Sequence, residues 1–234
     1  MRKMSLAAIA IGVFALVAAL LFRPAADQAN AAQGASPPSS ADQAAAAARE
    51  RRKITDDPMV PTNAPKAYDV TIVEYFDYQC PYCRKAQPVL AALLASDPKI
   101  RLVYRDWPMF GGASITAAKL ALAAKHQGKY VAFHDALMQS TGKLDDKVIR
   151  AAADKAGVNW SRLQTDLKTH QADIDALLDR TSQQAAMMGL QGTPGFLIGP
   201  YLVPGGMDYA NMKKAVAMVR ANPTGDPAKE PKEQ

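Results

Sequence analysis

An α/β domain with an all-helical insertion is the fold class this sequence predicts, and three observations predict it. A β-branched and aromatic run, Val70–Phe76, reads as a buried strand and is followed within a few residues by a proline-opened helical pattern. Residues 112–188 then hold helical periodicity without any strand signal. Two short apolar runs, 196–198 and 201–203, are separated by Gly199-Pro200, a hairpin signal. The order is β-α-β, a helical block, then β-β-α, in one domain at residues 67–221 with no internal repeat.

The elements follow in order. Arg2 and Lys3 precede an uncharged apolar run at residues 4–22. As a helix it would span ~28 Å, close to the ~30 Å hydrocarbon core of a bilayer. Residues 1–23 therefore read as a signal peptide or an N-terminal membrane anchor, with a small-x-small site at Ala29-Asn30-Ala31. Both readings, cleaved or tethered through residues 4–22, send the rest of the chain out of the cytosol. Residues 24–66 are an Ala/Pro/Ser-rich linker, of which 24–48 buries too little surface to order itself. Within it, 41–54 has helical composition behind Ser40 as N-cap. A stalk for a homo-oligomer and a solvated spacer both fit; the missing a/d repeat favours the spacer. Pro58, Pro61 and Pro65 predict an extended lead-in.

Pro81 opens the first helix of the domain, and Pro88 within it predicts a kink. Residues 100–104 form a second strand. The helical block breaks near 127–128, 141–143 and 157–159, giving four or five helices. Asp208 caps a final helix through Arg220, and residues 222–234, with three prolines, are a disordered tail. Met109-Phe110 and Met187-Met188 read as core packing ahead of an apolar rim.

Composition excludes little. The net charge is +6 and the pI about 9.3, but the basic residues are dispersed, which argues against nucleic-acid binding. The two cysteines, Cys80 and Cys83, are more telling. A structural zinc needs four ligands, and there is one pair; His126, His134 and His170 lie in the helical block away from ligand spacing and read as structural. Copper(I) accepts two thiolates, so a metal-tolerance reading stays open. A disulfide closing so short a loop constrains the unfolded chain little. A redox pair fits best. Cys80 falls at a helix N-terminus, where unpaired N–H groups and the dipole favour a thiolate, and is expected as the exposed nucleophile. Arg84 and Lys85 are expected to add positive potential. Cys83, one turn further in, can resolve a mixed disulfide. No dissociable cofactor and no metal are needed.

The segment "VEYFDYQCPYC" resembles the active-site stretch of thioredoxin-fold disulfide oxidoreductases, specifically the exported DsbA-like family. The resemblance implies a thioredoxin fold whose helical insertion is the block at about 112–188. It puts Glu74 at the family's partly buried acid, which assists proton transfer, and Pro88 at its helix-kinking proline. "Gly192-Thr193-Pro194" looks like the cis-proline loop facing the cysteines, with Thr193 and Pro194 holding an extended client. "FHDALM" and "GTPGFLIG" look closest to the ScsC-like subgroup.

One residue departs from the family pattern. Tyr82 stands where DsbA-type oxidases usually carry His, so the disulfide is expected to be a milder oxidant, with Tyr82 contacting clients. The implied function is periplasmic thiol–disulfide exchange on unfolded or reduced exported proteins, as an oxidase renewed by a membrane-bound redox partner. The alternatives are an isomerase or reductase of ScsC type and the copper(I) protein.

Overall fold

The structure is a computed structural model describing residues 39–225; the apolar run at 4–22, the linker before residue 39 and the tail after residue 225 lie outside the described residues. The chain divides after Ala45 into two compact units. Of the first, residues 39–45 are described, and they begin helix α1, Ser40–Thr55. Ser39, one residue before the expected Ser40, is its N-cap. The Asp42 N–H donates to Ser39 Oγ at 3.2 Å, and the Ser39 N–H donates back to Asp42 Oδ2 at 3.2 Å. This reciprocal pairing needs an acceptor three residues on, which Asp42 supplies to Ser39.

The second unit is built on a mixed sheet of five strands, ordered β1-β3-β2-β4-β5. They are β1 Thr62–Asn63, β2 Val70–Phe76, β3 Ile100–Asp106, β4 Gly195–Ile198 and β5 Tyr201–Pro204. β2 and β3 are parallel and paired throughout, from Val70 opposite Ile100 to Phe76 opposite Asp106. β1 is antiparallel to β3, β4 to β2, and β5 to β4. Two details differ from expectation. The proline-rich lead-in contributes the edge strand β1, and β3 continues through Arg105 and Asp106. That polar pair interrupts the apolar pattern, yet both side chains are buried because β2 pairs with them to its end.

Side chains alternate across a strand, so the two faces of the sheet can be told apart. Ile72, Glu74 and Phe76 share one face with Tyr104 and Asp106. Helix α4, Tyr130–Met138, covers this face: the His134 ring lies 4.8 Å from both Phe76 and Tyr104. Helix α2, Pro81–Ser96, packs on α4 and on the last helix, α8, Tyr209–Ala221. On the other face lie Tyr75 and Arg105, against the end of α1 and helix α7, Gln171–Met187. Pro88 sits within α2, and the helix continues through it.

The insertion comprises five helices: α3 Gly112–Ala124, followed by a 3₁₀ turn, then α4, α5 Asp146–Lys155, α6 Trp160–Thr169 and α7. The break between α6 and α7, at His170, carries no glycine or proline, so it has no sequence signal. Asp145, Asn159 and Asp208 cap α5, α6 and α8 through their side chains. Gly199 turns β4 into β5 with φ +55°, and a Cβ there would stand 2.6 Å from Val219, so only glycine fits.

Candidate active site

Strand β2 delivers its last residue, Phe76, to a short turn, Asp77–Cys80, that opens α2. The Cys80 N–H donates to the Asp77 carbonyl at 3.1 Å, and Cys80 is the N-cap with Pro81 at the first helical position. Cys83 lies one turn into α2, and both cysteines are free thiols. Neither is on the open surface: Cys80 is 2% exposed and Cys83 fully buried. The expected exposed nucleophile is instead covered. Tyr82, between them, is the exposed residue, at 64%.

The loop before β4 closes over Cys80. The Thr193–Pro194 bond is cis, and the Cys80 thiol donates to the Thr193 carbonyl oxygen at 3.2 Å. Two segments more than a hundred residues apart thus meet at one sulfur.

The two sulfurs are unequal. The Cys83 thiol, donating to Cys80, is the main reason the Cys80 thiol is held down to about 5; burial opposes it. The Thr193 hydroxyl, buried and unpartnered in the thiol form, lowers it further, as do the N–H groups of Cys83 and Tyr82. Cys83 is pushed far up by the same bond to Cys80 and by burial. First-turn N–H groups act as the helix-terminus argument expects. Arg84 and Lys85 do not. Arg84 Nε–H donates to the Tyr78 carbonyl at 2.9 Å and Nη1–H to the Gly142 carbonyl at 2.8 Å, while the Lys85 ammonium lies 5.8 Å over the Tyr82 ring. Their side chains brace neighbouring structure rather than the thiolate.

Glu74 is fully buried on β2, on the face that α4 covers, and neither carboxylate oxygen has a hydrogen-bond partner. Burial, then the Asp106 carboxylate, pushes it up to about 8. It is therefore protonated at neutral pH. Asp106, also buried, accepts from the Tyr130 hydroxyl at 2.6 Å and is pushed up to about 7 by burial.

A polar chain anchors the turn from inside. Gln87 Nε2–H donates to Asp135 Oδ1 at 2.6 Å, because a carboxylate takes only donors. That orientation turns Gln87 Oε1 toward His134 Nε2, 3.4 Å away, which must carry the proton. His134 Nδ1 is then left to accept from the Tyr78 hydroxyl at 3.3 Å. Burial holds His134 down to about 3, so the ring stays neutral and this tautomer persists. Tyr78, two residues before Cys80, is thereby fixed in the core. His126 and His170 stack on each other at 3.7 Å within the insertion. Sequence reasoning missed Asp77, Gln87 and Asp106. Asp77 alone carried a local signal, an acid two residues before a turn N–H.

Met109, Phe110 and Met187 are exposed, at 45%, 58% and 82%, so the expected core packing fails for them. Only Met188 packs partly against the core. Among the described residues no group of three or more His, Cys, Asp or Glu side chains gathers to hold a metal. None of the described helices is long and apolar enough to cross a membrane.

A paired-cysteine turn opening the first helix after a central strand, faced by a cis-proline loop, defines a class: thioredoxin-fold thiol–disulfide oxidoreductases. Within that class, this chain belongs to the family described as DSBA-like thioredoxin domain, which matches residues 71–217. A thioredoxin-like oxidoreductase from Silicibacter pomeroyi DSS-3 is 39% identical, with TM-score 0.69 over 73% of this chain and 97% of that one. A periplasmic thioredoxin-like protein from Salmonella enterica serovar Typhimurium is 27% identical, with TM-score 0.62 over 72% and 94%. The catalytic domain of Proteus mirabilis ScsC is 25% identical, with TM-score 0.67 over 75% and 97%. The curated relative Na(+)/H(+) antiporter NhaA 1 of Salinispora arenicola is 30% identical over 57% of this chain, but the match spans only 21% of that protein.

Proposed function

We propose that this chain is an exported thiol–disulfide oxidoreductase that donates the Cys80–Cys83 disulfide to reduced protein clients. The observation that carries this reading is the inequality of the two sulfurs: one acidic thiol at a helix start, one strongly basic thiol behind it. A client thiolate attacks Cys80 Sγ and the Cys80–Cys83 bond breaks. Cys83 leaves and takes a proton, for which protonated Glu74 is the buried source. A second client thiolate then attacks the client sulfur of the mixed disulfide, and Cys80 leaves as a thiolate. The client loses two electrons and the pair gains them. A membrane-bound redox partner that accepts two electrons restores the disulfide.

The low proton affinity of Cys80 supports the oxidase direction over the isomerase or reductase of ScsC type. A stabilised thiolate is the better leaving group and stabilises the reduced pair. A Cys80 thiol near 5 lies above the ~3.5 typical of the strongest oxidants of this kind, which fits the milder oxidant expected from Tyr82. Thr193 supports client binding in turn. Its carbonyl is released when Cys80 gives up its proton, leaving an acceptor beside Pro194 for an extended client backbone. Tyr82, exposed beside the pair, supplies an aromatic face to the same client. The apolar run at residues 4–22 supports a periplasmic setting.

The test is the Cys83→Ser variant, which keeps the nucleophile and removes the resolver. Expressed with its leader, it should accumulate mixed disulfides with exported proteins through Cys80. Absence of such adducts, together with tight copper(I) binding by the wild-type pair, would replace the exchange reading with the metal reading.

A further inference from the structure

Asp77 is 1% exposed, sits three residues before Cys80, and pairs with no cation among the described residues; three donors satisfy it instead. Oδ1 accepts from the Gln79 N–H at 2.7 Å and from the Ser114 hydroxyl at 2.6 Å. Oδ2 accepts from the Phe110 N–H at 3.0 Å. The Gln79 side-chain Nε2–H donates to Ser114 Oγ at 3.0 Å, which closes the ring. Hydrogen bonds this short to a buried carboxylate are among the stronger ones a protein makes.

The backbone of the same residue meets both cysteines. Its carbonyl accepts from the Cys80 N–H at 3.1 Å, and its N–H faces the Cys83 sulfur and favours that thiolate. On the other side, Ser114 and Phe110 flank the start of α3, whose N-cap, Gly111, makes no side-chain capping bond. The carboxylate of Asp77 ties that end of the insertion to the cysteine turn, through the Phe110 N–H just before α3 and the Ser114 hydroxyl in its first turn.

We infer that Asp77 is a positioning residue for the redox pair, holding the turn that carries Cys80 in register with the start of the helical insertion. The inference rests on the exchange reading of Cys80. It has a consequence for clients. Met109 and Phe110 are exposed apolar residues, and the backbone of Phe110 is fastened to the carboxylate that fastens Gln79. A client segment pressing on this loop acts on the cysteine turn through one side chain.

Asparagine is the discriminating substitution. It fills the same space but offers one acceptor oxygen, so its NH₂ must face either Phe110 N–H or Gln79 N–H, donor against donor. Asp77→Asn should therefore loosen the turn and separate Cys80 from the donors that stabilise its thiolate. We expect the Cys80 titration midpoint, read by thiolate absorbance, to rise by about one pH unit, or tenfold in proton affinity. The equilibrium with glutathione should move toward a less oxidising pair. Ser114→Ala should shift both in the same direction by less. The double variant should match Asp77→Asn alone, because Ser114 acts through the carboxylate. Folded variants that lose thermal stability but keep the wild-type midpoint and glutathione equilibrium would overturn the inference. Should Asp77→Asn not fold, Ser114→Ala decides the matter by the same two readouts, since it retains the carboxylate: a shift supports the coupling and no shift refutes it. Failure of Cys83→Ser, with Asp77 and Ser114 intact, to trap clients would sink the exchange reading and leave these titrations measurable, so the two failures are separable.

Discussion

At Glu74 two carboxylate oxygens are buried without a partner, and that isolation sets their proton affinity. The folded chain holds the Glu74 proton up to about pH 8, the unfolded chain only to its ordinary value of 4.5. Between those limits the folded state binds more protons, so stability falls as pH rises, by at most ~1.4 kcal/mol per pH unit from this group. Asp106, raised from 3.8 to about 7, adds a slope of the same sign at lower pH. Glu74→Gln keeps the shape and removes the titration. Denaturant unfolding of the two reduced proteins from about pH 5 to pH 8, where Cys80 adds the same opposing slope to both, should show stability falling less, or rising more, with pH in the variant. Equal slopes would mean that Glu74 is not isolated as described. A glutamate in the pattern of Val70–Phe76 was legible as an anomaly from sequence; that its neighbour in charge is Asp106, on the next strand, was not.

Helix α1 ends on a guanidinium. Arg105, on the sheet face opposite Glu74, is 1% exposed and donates to the Ile54 and Lys53 carbonyls, with Asp57 3.7 Å away. Arg101 does the same for the Thr55 carbonyl and pairs with Asp56 at 2.9 Å. These are the carbonyls a helix leaves unpaired at its C-terminus, where a cation is also favoured by the dipole. Arg105→Leu would take the guanidinium donor from the buried Ile54 carbonyl and the part-buried Lys53 carbonyl, and would leave Arg180 as the cation paired with Asp57. We expect a loss of about 3 kcal/mol, read from the denaturant midpoint, together with faster proteolysis after residue 45. An unchanged midpoint would show that α1 is held by Ile54 packing alone. Strand and helix periodicity located β2, α2 and α8 because their patterns are local. Strand β1 and the last two residues of β3 escaped, because only pairing across the sheet gives Thr62 and Arg105 their place.

The redox state of one pair should be felt by the whole domain. In the reduced protein Cys80 titrates near 5 against 9 when unfolded, so its thiolate contributes stability that is complete above pH 9 and lost as pH falls through 5. The disulfide form has no such term, and a bridge across two residues adds little of its own. At about pH 7 the reduced protein should therefore melt higher than the oxidised one. The gap should close toward about pH 4.5. An oxidised form that is the more stable at pH 7 would contradict the oxidase direction, because a pair stabilised as thiols is what makes the disulfide oxidising.

Local chemistry along the chain was enough to place the cysteines at a helix start after a strand and to order the elements, and the family resemblance pointed to the Thr193-Pro194 loop. Those signals lie within a few residues of one another or in an alternation that a single strand carries. Packing alone decided that Cys80 is covered rather than exposed, that its acidity comes first from Cys83 rather than from Arg84 and Lys85, and that Asp77 joins the turn to residues 110 and 114. A side chain's reach and solvent access depend on which distant segments fold over it, and the order of residues in the chain does not contain those distances.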